Sequence, residues 1–367
     1  MKEICICGGG SLAHVIACTL ASKGYTVHIL TNNPEKWSSS LFVDTIDGKE
    51  ITGNLSKISN DPKDVIPQSE MILFCLPGFA IHDVLLKIKD DISPKTIIGS
   101  IVSNTGFFIM AKAVLKNKFG LFGLQRVPYI ARLNHYGKSA HLYGYKKELK
   151  VAFTGIENTS DISAELEKMF DTPVVTLKNI LEATLLNSNP ILHPSRLYNL
   201  FHDWTPSRVY EKEVLFYSNW NDESSKLLIE CDNEFQTIIS KLPINPNAVP
   251  SLLKHYESSD AASLTKKMQS ITAFKNIKAP LLPVENGFVL DTNNRYFTED
   301  IVYGLTIIKC IASILNVPTP HNDKLLEWGQ EIVGFDIIHN HSLTGESVKN
   351  IPCLNEALIC EMIQNSK

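Results

Sequence analysis

The sequence predicts an α/β fold in two parts: a parallel-sheet domain first, then a mostly α-helical one. Residues 3–30, "EICICGGGSLAHVIACTLASKGYTVHIL", run strand, glycine turn, helix, strand. A strand–turn–helix pattern recurs twice further along, and beyond residue 178 helical spacing displaces strands. The length, 367 residues, calls for two cores rather than one.

Ile4 and Ile6 belong to a short buried strand, and Gly8, Gly10 and Ala13 then fit G-x-G-x-x-A. That spacing has a chemical reason. Gly8 makes the tight turn, Gly10 lets the backbone approach a pyrophosphate, and Ala13 lets the helix pack close to the strand. Ser11 and Leu12 open the helix, whose N–H groups and positive dipole end face the phosphates. Leu12, Ile16 and Leu20 form its apolar face, Lys23-Gly24 closes it, and "YTVHIL" supplies the second strand. A glycine turn in some other α/β domain is the alternative. The position between strand and helix, with a second strand at the expected distance, favours a Rossmann dinucleotide-binding domain.

The end of the second strand bears on the cofactor. An acid there would hold the ribose 2′-hydroxyl of NAD. This chain has Thr31-Asn32-Asn33 with Lys36 close behind, a loop better suited to a 2′-phosphate. NADP is the expectation. NAD is the alternative, because no arginine clamps the phosphate.

"MILFCLPGFAIHDVLLKI" and "KTIIGSIVSNTGFFIMAKAVL" supply two more strand–turn–helix units. Ligands of open α/β sheets bind outside the carboxyl ends of strands, so Leu76, Pro77 and Ser103 to Thr105 are candidates to border the nicotinamide, with plain turns as the alternative. "KVAFTGI" and "PVVTLK" read as closing strands. The first domain is expected over residues 1–177 and the second over 178–367.

In the second, helices are expected over residues 180–202, 206–220, 222–241, 247–257 and 299–316. The first holds an anomaly. Leu181, Leu185, Leu197 and Phe201 share a four-residue spacing whose two missing steps are Asn189 and His193, each followed by proline. At i and i+4 both side chains face one side of the helix. Interior prolines cost about 3 kcal/mol or more, so a kink that aims Asn189 and His193 at a ligand is the expectation. A core histidine satisfied by a backbone carbonyl is the alternative. In "DTNNRYFTEDIVYGL" Thr298 suits an N-cap and Glu299 an ordinary first-turn acid. Arg295 is suited to hold a substrate carboxylate, and Asp300 to hydrogen-bond the far nitrogen of a histidine.

Composition removes other classes. Lysine plus arginine number 35 against 39 acids, a formal charge of -4, with no footprint for nucleic acid or an anionic membrane. No apolar run is long enough to span a bilayer, and "KEICICGGG" is no signal peptide. The eight cysteines form neither a CxxC pair nor a regular framework, which indicates a reduced, cytoplasmic protein. His339 and His341 have no partner at a ligand spacing and are expected on the surface, so no metal is expected.

With these residues in hand, the sequence resembles the octopine/nopaline (opine) dehydrogenase family along nearly its whole length. The resemblance rests on "GGGSLAH", "VPYIAR" with "YGKSA" and "GYKKELKVAF", "NSNPILHP", and "RYFTEDIVYGL" with "ILNVPTP". The Asn-Pro-x-x-His-Pro element followed some hundred residues later by Arg and Asp is its specific part. It implies a Rossmann domain followed by a helical catalytic domain, as in 6-phosphogluconate-dehydrogenase-like folds. It also implies that His193 and Asp300 form a catalytic dyad, that Asn189 orients the oxo acid or imine, and that Arg295 holds a carboxylate. The implied reaction condenses an amino acid with a 2-oxo acid such as pyruvate and reduces the imine with NAD(P)H. The family usually has proline at the position of Val302 and often an arginine pair at Asn32-Asn33. A homodimer is a candidate assembly. One rival is a ketopantoate or glycerol-phosphate type reductase, which relies on a lysine absent between Asn179 and Phe201. Another is a non-catalytic NADP-sensing protein, which need not retain the four polar residues.

Overall fold

The computed structural model describes residues 2–116 and 118–364. Two compact units divide it, Met1–Thr184 and Leu185–Lys367.

In chain order the first unit contains β1 (Glu3–Cys7), α1 (Ser11–Ser22), β2 (Thr26–Leu30), β3 (Ser40–Thr45), β4 (Glu50–Asn54), β5 (Lys57–Ser59) and β6 (Met71–Phe74). There follow α2 (Gly78–Ile88), β7 (Ile97–Ser100), α3 (Phe107–Leu115), β8 (Gly120–Leu124), β9 (Tyr129–His135) and β10 (Ser139–Tyr145). Last come β11 (Leu149–Thr154), α4 (Thr159–Phe170), β12 (Val174–Thr176) and α5 (Ile180–Leu185). Eight strands form the main sheet in the order β12-β11-β8-β7-β6-β1-β2-β5. Its pairs are parallel from β8 to β5, and β11 joins β8 antiparallel. The chain leaves β1 toward β2 on one side and reaches β6 on the other. The end of β1 is therefore the topological switch point, where such sheets bind ligands.

A second sheet, β4-β3-β10-β9, was not expected. Its strands carry mixed, half-exposed patterns that no short alternation announces, and they pair across nearly a hundred residues, β10 lying parallel to β3. It packs on α1: a Cβ on Gly53 of β4 would lie 2.3 Å from the Cys18 carbonyl oxygen. The Cys18 thiol donates to the carbonyls of Leu41 and Ile51, both at 3.3 Å. Sheets cover α1 on two sides, which explains why Ala13 through Cys18 are all buried and why its apolar surface is broader than one stripe. Leu12 is only half-buried. The domain boundary expected after Leu177 precedes α5, which the first unit keeps up to Thr184. Gln125 Nε2 donates to the Glu182 carbonyl at 2.9 Å, and Glu182 accepts from the Lys178 N–H at 3.1 Å.

The second unit contains α6 (Asn189–Phe201), α7 (Asp222–Lys241), α8 (Leu252–His255), α9 (Ala261–Ser270), β13 (Leu281–Val284) and β14 (Gly287–Leu290). α10 (Arg295–Thr298) runs into a π-helical turn, Asp300–Leu305, and α11 (Thr306–Ile314), α12 (Pro320–Val333) and α13 (Glu356–Gln364) complete it. Several expectations fail here. Residues 180–202 are two helices interrupted at 186–188, so Pro190 sits in the first turn of α6, where its missing N–H costs nothing. Only Pro194 is interior. Residues 206–220 form turns rather than a helix, held by backbone bonds such as Tyr210 N to Phe288 O (2.8 Å) and Phe216 N to Ile277 O (2.7 Å). Residues 247–257 shrink to a 3₁₀ turn and α8. α9, α12, α13 and the β13–β14 hairpin were not expected.

Candidate active site

In the first unit the candidate site is made of backbone. Gly8 has φ +136°, and a Cβ there would lie 2.5 Å from the Cys75 carbonyl oxygen, so glycine alone lets β1 end this close to β6. Gly10 is exposed and precedes α1, and a Cβ there would meet nothing within 4 Å. The first turn of α1 carries no acid and no side-chain cap, which leaves the N–H groups of Ser11 and Leu12 suited to phosphate oxygens. Ala13 is fully buried beneath it. The open cradle and uncapped helix fit a dinucleotide.

Around the loop, His14 acts as a clasp. Its Nδ1–H donates to the Gly10 carbonyl (2.9 Å), and its Nε2 accepts the Gly137 N–H (2.7 Å). An amide N–H can only donate, so this ring is the neutral Nδ1–H tautomer, and burial pushes its pKa down. Trp37 stacks on it with centroids 4.1 Å apart. Asn32 and Lys36 are exposed beyond β2, and Leu76 and Pro77 are half-buried beyond β6. Ser103 is fully buried, and its hydroxyl is engaged, donating to the Leu124 carbonyl at 3.1 Å.

In the second unit the chemistry is carried by side chains. His193, from α6, and Asp300, from the π-helical turn, are both buried and meet through Nδ1 and Oδ2 at 2.7 Å. A carboxylate accepts, so Nδ1 carries the proton. Three local features make the meeting close. α6 begins at Asn189, so His193 falls one turn inside it. Gly304 has no Cβ, which would otherwise lie 2.4 Å from Pro190 Cγ. The wide turn brings the Gly304 N–H onto the Glu299 carbonyl at 3.0 Å, five residues back, and such turns recur at functional sites. Asn189, one turn before His193, is exposed.

Arg295 differs from expectation. It opens α10 under an Asn294 cap, and Thr298 ends that helix rather than capping another. Its Nε donates to Glu299 Oε2 at 2.6 Å and its Nη2 joins the same oxygen, so Glu299 is its ion-pair partner and not a bland first-turn acid. The Arg295 side chain is still 66% exposed while that of Glu299 is 8% exposed, so Glu299 steadies an outward-facing guanidinium.

Four neighbours of the dyad were missed. Tyr217 OH lies 3.0 Å from His193 Nε2, the Tyr296 ring lies 4.0 Å from the imidazole, and Phe216 is edge-on to the imidazole and tilted against Tyr296. Arg196, three residues after His193 and fully buried, binds the segment that carries Tyr217. The aromatic run "FYSNW" at 216–220 was the available signal, hidden by its assignment to a helix.

Comparison with known proteins now bears on the whole. Residues 176–333 match the family model described as NAD/NADP octopine/nopaline dehydrogenase, alpha-helical domain. Residues 3–104 match one described as NADP oxidoreductase, coenzyme F420-dependent. The octopine dehydrogenase of Mizuhopecten yessoensis is 26% identical over 380 residues, covering 96% of this chain and 95% of that one. Over residues 176–333 the chain is thus similar to the octopine/nopaline dehydrogenase family. The opine dehydrogenase of Haliotis discus hannai is 27% identical, with 95% of each chain covered. Among solved structures of the family, an octopine dehydrogenase with NADH and L-arginine superposes with a TM-score of 0.86 at 24% identity, covering 99% and 98% of the two chains. The fold is thus a Rossmann unit followed by a helical unit, and the two matching models describe an NAD/NADP dehydrogenase and an NADP oxidoreductase.

Proposed function

We propose that this chain is an opine dehydrogenase, which condenses the amine of an amino acid with a 2-oxo acid such as pyruvate and reduces the imine. NAD(P)H, when bound, supplies the hydride. The observation that carries this reading is the buried His193–Asp300 hydrogen bond at 2.7 Å. Asp300 holds the proton on Nδ1, which leaves Nε2 as the nitrogen that exchanges one. His193 supplies the proton that polarises the carbonyl, and then the imine, toward hydride addition. Asn189 orients the oxo acid, and Arg295, steadied by Glu299, holds a carboxylate so that one face of the imine is presented. Condensation releases water, and reduction consumes one hydride and one proton.

The test is NADPH oxidation with a panel of 2-oxo acids, with and without amino acids. Turnover is expected only with both present. Oxidation independent of any amine would overturn the reading in favour of a simple oxo-acid reductase. NADPH is proposed over NADH, since Asn32 and Lys36 stand exposed where an NAD enzyme places an acid; comparing kcat/KM for the two cofactors decides it. A cytoplasmic location and a homodimer belong to the same proposal. The eight unpaired cysteines support the location. Fractionation reads out the location and sedimentation velocity the dimer.

A further inference from the structure

His193 has two ring nitrogens, and both are engaged: Nδ1 by Asp300 at 2.7 Å and Nε2 by the hydroxyl of Tyr217 at 3.0 Å. Tyr217 is 5% exposed, and among the described residues its hydroxyl has no hydrogen-bond partner other than this nitrogen. The phenol is not loosely placed. Its ring is stacked on Phe274 (centroids 4.1 Å apart, 22° between planes) and nearly parallel to Trp220 (6.0 Å, 7°).

The backbone beneath it is fixed by a buried cation. Arg196 donates from Nε to the Phe216 carbonyl (3.0 Å), from Nη2 to the Asn219 carbonyl (2.5 Å), and from Nη1 to Asn221 Oδ1 (3.3 Å) and Ser224 Oγ (3.1 Å). None of these partners is a carboxylate. Burial lowers its pKa to about 10, which still leaves the guanidinium charged at neutral pH. Such a group is costly to bury, and its bonds go to the turn that carries Tyr217, at Phe216 and Asn219, and to the start of α7 that follows it, at Asn221 and Ser224.

We propose that Tyr217 is the terminal proton donor of the reaction, with the His193–Asp300 pair as its recharging partner and Arg196 as the residue that positions it. The inference rests on the opine dehydrogenase reading. When His193 is neutral, the phenol donates to Nε2. Once the ring is protonated, Nε2–H must instead donate to the phenol oxygen, and the phenol's own hydrogen is released toward an outside acceptor. In the step itself Tyr217 Oη–H gives its proton to the carbonyl oxygen or the imine nitrogen, and Nε2–H passes its proton to Oη. The products are a neutral His193, still Nδ1–H against Asp300, and an intact phenol, with no net oxidation of either side chain. Burial pushes the Tyr217 pKa well up, so the phenol holds its proton until one is supplied from behind.

Tyr217→Phe keeps the stacked ring and removes only the hydroxyl. It is expected to lower kcat by ~10²-fold or more, the range for a lost general acid, while leaving KM for both acids and the NADPH Kd within about twofold. Combined with His193→Ala it should add little to the worse single variant. Arg196→Lys, which cannot span the same carbonyls, should lower kcat less and in the same direction. A Tyr217→Phe enzyme with wild-type kcat, or a loss that multiplies with that of His193→Ala, would overturn the relay while the functional reading stands. A wild-type enzyme inactive on every amine and oxo-acid pair would overturn the functional reading itself, and the relay with it.

Discussion

The glycine loop after β1 and the polar cluster around His193 are both candidate sites, yet they are assembled by opposite means. The loop consists of consecutive residues, and its shape is enforced by what is missing. Gly8 sits at φ +136° against the Cys75 carbonyl, and the first turn of α1 is left without a cap. The cluster consists of residues 193, 217, 296 and 300, drawn from α6, a turn segment, α10 and a π-helical turn, and its shape is enforced by side chains in contact. The first kind of site binds through backbone donors and tolerates little change in residue size. The second kind holds a proton at a named atom and depends on chemical identity.

Substitutions should therefore separate the two in kind as well as in size. The largest effect is expected at His193→Ala, a loss of ~10²- to 10⁴-fold in kcat with NADPH affinity and thermal stability nearly unchanged. Asp300→Asn should act in the same direction, and the double variant should lose little beyond the worse single one; losses that simply multiply would mean the two are no dyad. Gly8→Ala should do the reverse. Forcing a side chain into that conformation costs about 1–3 kcal/mol before any clash with Cys75. A fall in Tm and a weaker NADPH Kd are expected, with kcat at saturating cofactor less affected, and a normal Kd would show that the loop does not bind the pyrophosphate.

Arg295→Ala comes next, with KM for one of the two acids raised ~10-fold, as for loss of a charge-assisted hydrogen bond at a partly exposed site. Arg295→Lys should not restore it, because a lysine cannot form the two-pronged contact. An unchanged KM for both acids would reduce Arg295 to the ion pair with Glu299. The smallest effect is expected at Asn32→Asp, where a carboxylate in an exposed loop repels a 2′-phosphate by about 1 kcal/mol, a shift of ~5-fold toward NADH in the ratio of kcat/KM values. No shift would place the adenosine ribose away from Asn32.

The sequence by itself determined what short-range physics controls. The strand–glycine–helix start is legible because positive φ and close packing admit few residues. The chemistry of the second unit is legible in kind, since a histidine and an amide in an apolar row are costly to leave unexplained. The prolines misled in part. Pro190 marks a helix start that the apolar spacing concealed, because the row Leu181–Leu185 continues in register across the break at 186–188. Glu299 also misled: a first-turn acid and an i+4 partner for Arg295 look the same on paper, and only the fold shows which it is. Tertiary structure alone decided the second sheet on α1, the non-helical course of residues 206–220, and Tyr217 at His193 Nε2. Each depends on partners tens of residues away, such as β3 with β10, Phe216 with Ile277 and Arg196 with Asn219. Local propensity is a weak force beside such contacts, so the chain yields to them wherever they compete.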